Sequence, residues 1–251
     1  MDYRAVQLSK LPGVQVITGR RLTAAEIADY GAEVIVIATG SSWRGDGVQP
    51  GIGEPMLGAD PALPWVLTPE QVCAGKRPPG QRVVVYDADG YYVAPGLAEL
   101  LTADGYAVTI VTTYPVLSPV SDETLEGDML RAHVHRAGIA VVHATTVMEI
   151  NRSADAGTVL LTGADRHGED WSHACDGIVL VTQQASDDSL YRELTTGDNG
   201  LTVFRIGDAV APRLISEAIF DGHRLGREID GPDPARPAPY LREQADVPSA
   251  I

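Results

Sequence analysis

Two short segments of the chain carry residue types that suit a nucleotide cofactor. Ala38-Thr39-Gly40 directly follows a continuous β-branched run at residues 34–37, which predicts a strand buried on both faces. A turn of small residues at the carboxyl end of such a strand lets the backbone approach a ligand closely. Gly207-Asp208-Ala209 follows a second predicted strand at residues 201–206. There the glycine allows close approach, and the aspartate can accept hydrogen bonds from a sugar or ribityl hydroxyl.

Each segment also has a purely structural explanation. Ala38-Thr39-Gly40 can be a tight turn, and Asp208 can cap the helix predicted at residues 211–229. The N-terminus of that helix offers free N–H groups and the positive end of its dipole to a phosphate. Arg213 and the pair Ser216-Glu217 can reach a bound cofactor from this helix, but ordinary surface positions explain them equally well.

A third segment is informative because it lacks the expected glycines. Residues 82–112 predict a βαβ unit, with a strand at 82–86, a helix at 94–104 and a strand at 107–112. A dinucleotide-binding unit carries G-x-G-x-x-G in its first turn, but here Asp87, Asp89 and Tyr92 occupy the glycine positions. The carboxylates would repel a pyrophosphate, and Thr112 stands where an acid for the ribose is expected. This unit is therefore predicted to bind neither NADH nor NADPH.

The elements that position these segments predict an α/β fold with two nested three-layer dinucleotide-type domains. The outer domain comprises residues 1–75 and 190–251, and the inserted inner domain comprises residues 76–189. A Gly- and Pro-rich connection at residues 41–80 is interpreted as a domain crossing, because uninterrupted loops of this length are rare inside a compact domain.

Charge and cysteine content exclude several classes of function. The 19 basic and 34 acidic residues give a formal charge of −15, which argues against nucleic acid or an anionic membrane as a partner. No apolar run approaches the roughly 18 residues of a membrane span. Cys73 and Cys175 are isolated, so no zinc or iron–sulfur site is expected, and the protein is predicted to be cytoplasmic.

Taken together, the two candidate segments resemble the flavoprotein disulfide reductases, in which one dinucleotide-binding domain interrupts another. Three longer segments extend the match: Ala38-Thr39-Gly40-Ser41-Ser42-Trp43-Arg44, Leu67-Thr68-Pro69-Glu70-Gln71-Val72 and Gly207-Asp208-Ala209-Val210-Ala211-Pro212-Arg213-Leu214-Ile215. On these segments the chain resembles the trimethylamine, dimethylamine and histamine dehydrogenase family, and this resemblance covers nearly the whole chain. The predicted cofactor-binding residues are therefore Ala38, Thr39, Gly40, Gly207, Asp208, Ala209, Arg213 and Leu214.

The resemblance implies that the outer domain holds ADP, or FAD as in the related reductases. In that family, oxidative demethylation or deamination of an amine occurs on a separate barrel, which carries FMN and an iron–sulfur cluster. No strand and Gly-rich loop for the pyrophosphate precede residue 14 here. We therefore expect a fragment or one subunit of a split enzyme, with no catalytic residues in this chain. It would be completed by a missing N-terminal part, by a barrel-containing flavoprotein subunit or by a second copy. The alternative is a non-catalytic interaction or scaffold module derived from such an enzyme.

Overall fold

A computed structural model describes residues 2–152, 158–196 and 200–235 of the chain. The chain forms two compact units. The first combines Met1–Thr39 with Asp187–Ile251, and the second is the intervening segment Gly40–Ser186. The second unit is thus inserted in the sequence of the first. None of the described helices combines the length and the apolar composition that crossing a membrane requires.

The described helices and strands are numbered along the chain. The helices are α1 (Asp2–Ser9), α2 (Ala24–Tyr30), α3 (Pro69–Cys73), α4 (Val93–Ala103), α5 (Gly127–Arg136), α6 (Ser189–Thr195) and α7 (Ile215–Glu228), with single 3-10 turns at Pro119–Asp122 and Gly207–Ala209. The strands are β1 (Val34–Ile37), β2 (Ser41–Trp43), β3 (Val66–Leu67), β4 (Arg82–Asp87), β5 (Ala107–Thr112), β6 (Ala140–Val142), β7 (Thr145–Arg152), β8 (Val159–Asp165), β9 (Asp170–Cys175), β10 (Gly177–Val181), β11 (Gln184–Ser186) and β12 (Thr202–Arg205).

The second unit is built on a parallel sheet with the strand order β3-β10-β4-β5-β6. Its central strands are valine-rich and buried on both faces, as expected for a parallel sheet that is covered on each side. Val83 and Val85 point into a core with the helix residue Leu101. Val84 and Tyr86 point into a core on the other face, where the antiparallel sheet β7-β8-β9 contributes hydrophobic residues.

The long connection after β1 belongs to the second unit, which differs from the predicted outer domain of residues 1–75. β2 pairs antiparallel with β11, and β3 pairs parallel with β10. Gln49 is buried and its amide donates to the carbonyl of Val147 at 3.0 Å, while the Tyr86 hydroxyl donates to the Gln49 side-chain oxygen. These long-range hydrogen bonds hold residues 40–75 against the inner sheet, so the unit boundary lies at residue 39.

The first unit contains a two-stranded parallel sheet, β1-β12. Ile35 and Ile37 face a core that is completed by α2, α6 and Ala209. On the opposite face, Val34 is 37% exposed and Val36 is 38% exposed. Among the described residues, β1 is therefore covered on one face only, and the prediction of a strand buried on both faces is corrected.

Candidate nucleotide site

The register of the first unit's sheet brings the two candidate segments to one edge. β1 and β12 run parallel with Ile37 opposite Arg205, and the Ile206 N–H donates to the Ile37 carbonyl at 3.0 Å. Both strands therefore end at the same place, with Ala38 and Thr39 following one strand and Gly207 following the other. This is the edge at which parallel α/β sheets bind ligands.

The first candidate segment divides between the two units. Thr39 belongs to the first unit, and its hydroxyl donates to the Asp187 carbonyl, which lies where the chain re-enters that unit. Gly40 is the first residue of the second unit and has a φ of +81°, a left-handed conformation that favours glycine. The structure thus gives Thr39 a role in joining the exit and return of the chain, which the sequence did not predict.

In the second candidate segment, Gly207 and Ala209 have conformational and packing roles. Gly207 has a φ of +60°, and its N–H donates to the Asp221 side chain at 3.1 Å. A Cβ at position 207 would lie 3.5 Å from the Ala218 side chain, so α7 packs directly on this turn. Ala209 is fully buried, and its methyl group contributes to the same core as Ile35.

Asp208, Arg213 and Leu214 lie in the connection that leads into α7. The Arg213 backbone N–H donates to an Asp208 carboxylate oxygen at 3.2 Å. Leu214 is the N-cap of α7 and supplies no side-chain hydrogen bond. The helix begins at Ile215, and not at residue 211 as predicted, so Asp208 does not cap it. The first turn of the helix consequently follows Arg213 and Leu214 directly in the chain.

Asp221 is the residue of this region that sequence reasoning missed. One of its carboxylate oxygens accepts hydrogen bonds from both Gly207 and the Arg213 guanidinium. Arg213 and Asp221 are eight positions apart and lie on either side of a helix start. Helical charge pairs are recognised in a sequence at spacings of three or four, so this pair carried no signal.

The β4–α4 turn of the second unit is closed by its own side chains. Asp87 is fully buried, and its carboxylate accepts hydrogen bonds from the Gly90 N–H at 2.9 Å and from the Thr112 hydroxyl at 3.0 Å. Burial raises the pKa of Asp87 from 3.8 to about 6 and also raises the pKa of Asp89. The sequence placed Asp87 facing a phosphate, whereas the structure places it in an internal bridge.

The residues after β5 cover the same turn. A Cβ added to Gly90 would lie 2.6 Å from the Tyr114 ring. The Val120 N–H donates to the Gly90 carbonyl at 3.1 Å, and the Ser118 hydroxyl donates to the Tyr91 carbonyl at 2.7 Å. The Gly90 N–H, which a pyrophosphate would need, therefore already has a partner, and the space above this glycine contains an aromatic ring.

Parallel α/β sheets in two units, with candidate ligand residues at a sheet edge, are consistent with the flavoprotein dehydrogenases. Residues 67–160 match the family described as the OYE-like second alpha/beta domain. Dimethylamine dehydrogenase from Hyphomicrobium sp. (strain x) is 41% identical over 268 residues, a match that covers 97% of this chain and 36% of that enzyme.

Two solved structures are similar in both fold and sequence. Histamine dehydrogenase from Rhizobium sp. 4-9 has a TM-score of 0.84 and 33% identity, covering 97% of this chain and 38% of that chain. 6-Hydroxypseudooxynicotine amine oxidase from Pseudomonas geniculata N1 has a TM-score of 0.81 and 38% identity, covering 88% and 32%. The chain is thus related to flavin-dependent amine dehydrogenases and old yellow enzyme-like enzymes, and it spans about a third of the length of these relatives.

Proposed function

We propose that this chain is the nucleotide-binding part of a flavin-dependent amine dehydrogenase-like oxidoreductase. Its first unit is a Rossmann-like domain that holds ADP or FAD, and the inserted second unit is a related domain that holds no nicotinamide nucleotide. The observation that carries the proposal is the shared edge of β1 and β12, where Ala38-Thr39 and Gly207-Asp208 follow strands that are in register. Similarity to dimethylamine dehydrogenase over 97% of the chain supports it.

The residues at this edge provide the donors and acceptors that a nucleotide requires. The Asp208 carboxylate is an acceptor for a sugar hydroxyl, and Arg213 supplies charged donors for a phosphate. The N–H groups at the start of α7, next to Leu214, add the positive end of a helix dipole. Gly40 has a φ of +81° and no side chain, and in this proposal its backbone is a contact for the ligand. In this proposal Ala209 supports the site through packing alone.

We further propose that the sheet of the first unit is completed by residues outside this sequence, on the same polypeptide or on another. A two-stranded sheet is marginal by itself, and Val34 and Val36 leave one face of this sheet exposed. An N-terminal part of the same polypeptide or a separate barrel-containing flavoprotein subunit would supply the adjacent strand and a Gly-rich loop for the pyrophosphate. A second copy of this chain is the alternative. FMN and an iron–sulfur cluster would lie on the barrel and supply the redox chemistry of amine oxidation. Free thiols at Cys73 and Cys175 favour a cytoplasmic location.

A non-catalytic interaction module is the second candidate. It is favoured by the internal partners of the Thr39 hydroxyl and the Gly207 N–H, together with the closed turn around Asp87. Such a module would associate with a partner through the exposed face of β1 without holding a nucleotide.

A chimera separates these candidates. In it, this chain replaces the matching third of dimethylamine dehydrogenase from Hyphomicrobium, and the purified protein is analysed for bound ADP, FAD and NADH and for amine turnover. We expect an adenine nucleotide at one equivalent and no saturable NADH binding. A chimera that turns over amine but retains no nucleotide, and binds none in calorimetry, would support the interaction module.

Asp208→Ala tests the proposed site within that chimera. Loss of a charged hydrogen bond to the sugar should weaken nucleotide binding by about 1–3 kcal/mol. Asp230→Ala is the matched control, because Asp230 is an exposed acid just beyond the end of α7. Equal affinities for Asp208→Ala and the parent would remove Asp208 from the site.

A further inference from the structure

The Asp221 carboxylate connects three parts of the candidate site: helix α7, the turn at Gly207 and the Arg213 side chain. Asp221 lies in the second turn of α7, and its side chain is 17% exposed. The same oxygen accepts the Gly207 N–H at 3.1 Å and the Arg213 guanidinium. Since the Arg213 backbone N–H also binds Asp208 at 3.2 Å, the segment from Gly207 to Arg213 is fixed at both of its ends.

This arrangement leaves Arg213 able to bind a second anion. A guanidinium has five N–H donors, and the hydrogen bonds of Arg213 within the described part of the chain use one donor for the Ala211 carbonyl and one for Asp221. The Arg213 side chain is 36% exposed. Asp221 therefore restricts the rotamers of Arg213 while the remaining donors stay available, which is how a second residue preorganises a binding group.

We propose that Asp221 is a positioning residue for nucleotide binding, which holds the Arg213 guanidinium in the orientation that receives a phosphate. This inference rests on the proposed function of the first unit. A positioning role and a simple charge effect of Asp221 predict opposite changes in phosphate affinity. If Asp221 were only a nearby negative charge, its removal would strengthen the binding of a phosphate. A positioning role requires that its removal weakens binding.

The test is ADP affinity, measured by calorimetry in the chimera described above. We expect Asp221→Asn to weaken ADP binding about tenfold, because Arg213 loses a charge-assisted partner. Asp230→Asn makes the same change of charge beyond the end of the same helix and should leave the affinity unchanged. In an Arg213→Ala background, Asp221→Asn should have little further effect, whereas a purely structural role of Asp221 would persist in that background.

Unchanged or tighter ADP binding by Asp221→Asn overturns the inference, and so does a full effect in the Arg213→Ala background. If the parent chimera binds no adenine nucleotide, the proposed function fails, and the positioning role fails with it. A second measurement keeps the contact itself testable in that case. In the isotope-labelled 251-residue chain, Asp221→Asn should shift both the Gly207 amide resonance and the Arg213 side-chain resonances, because both groups donate to the Asp221 carboxylate. Asp230→Asn should leave these resonances unchanged, and an Asp221→Asn spectrum in which they do not move would refute the contact.

Discussion

Replacing the buried Asp87 by asparagine should stabilise the second unit at neutral pH. Asp87 is fully buried at the end of β4, and burial raises its pKa from 3.8 to about 6. An acid with a raised pKa binds its proton more tightly in the folded state than in the unfolded state. Its effect on stability is therefore most favourable below about pH 4 and is lost as the pH rises through about 6. At neutral pH the folded protein retains an unfavourable buried charge.

The magnitude follows from the shift in pKa. A rise of about two units, at 1.36 kcal/mol for each unit, corresponds to about 3 kcal/mol. An asparagine removes the charge but keeps an oxygen for the Gly90 N–H, and the Thr112 hydroxyl can rotate to accept from the new amide. We expect the free energy of unfolding of Asp87→Asn to exceed that of the parent by about 2–3 kcal/mol at pH 7.5. At pH 4 the difference should fall below about 1 kcal/mol.

Urea denaturation followed by tryptophan fluorescence provides the assay. All three tryptophans, Trp43, Trp65 and Trp171, lie in the second unit, so their signal reports on its unfolding. Acids with lowered pKa values, such as Asp176, reduce the stability of the parent and of the variant equally at low pH. Their effect therefore cancels when the two free energies of unfolding are subtracted. Asp170→Asn at an exposed position of β9 is the control. A difference that does not vary with pH, or a parent that is more stable at pH 7.5, would refute this argument.

Two further substitutions test other contacts of the same unit with the same assay. Tyr86→Phe should lower the free energy of unfolding by about 1–3 kcal/mol, because it leaves the buried Gln49 oxygen and the Val147 N–H without their partner. Tyr106→Phe is the control, because the Tyr106 hydroxyl is only half-buried. A loss of stability in Tyr86→Phe no larger than that in Tyr106→Phe would contradict this expectation. Gly90→Ala should cost roughly 2–4 kcal/mol, since it combines a left-handed φ of +76° with a collision against the Tyr114 ring. Gly105 has a φ of +92°, and a Cβ added there would meet no atom within 4 Å, so Gly105→Ala measures the cost of the left-handed backbone alone. Equal losses of stability for the two substitutions would show that the collision with Tyr114 contributes nothing.

The sequence predicts local structure best where one strong pattern decides it. Strands at residues 82–86 and 107–112 and a helix at 94–104 correspond to β4, β5 and α4, whose ends differ by at most one residue. The valine-rich run of β4 is typical of a strand buried in a parallel sheet, so it can be recognised as a strand without knowledge of distant contacts. The convergence of the segments after β1 and β12 was also predictable, because parallel strands end at the same edge.

The parts that sequence reasoning missed depend on contacts between distant residues. Residues 40–75 look like a loop because they are rich in glycine and proline, but the bond between Gln49 and Tyr86, 37 positions apart, holds them in the second unit. The start of α7 was placed too early, at residue 211, whereas the helix begins at Ile215 after an extended Leu214. In the intervening segment the Arg213 N–H binds the Asp208 side chain, a contact that the helical pattern does not reveal. Local propensity does not encode either arrangement.

A comparison of the two glycine turns explains why only one of them is proposed to hold a nucleotide. In both turns a carboxylate accepts a hydrogen bond from the N–H of a glycine with a positive φ, which is Gly90 in one turn and Gly207 in the other. At Gly90 the carboxylate is Asp87, which is fully buried and bonded to the neutral hydroxyl of Thr112. Among the described residues no cation pairs with Asp87, so an incoming phosphate would meet an uncompensated acid. At Gly207 the carboxylate is Asp221, which is partly exposed and paired with Arg213. That cation offsets the acid, and in the proposed site its remaining donors would bind a second anion. The same local motif therefore closes one turn and, in our proposal, leaves the other able to receive a phosphate.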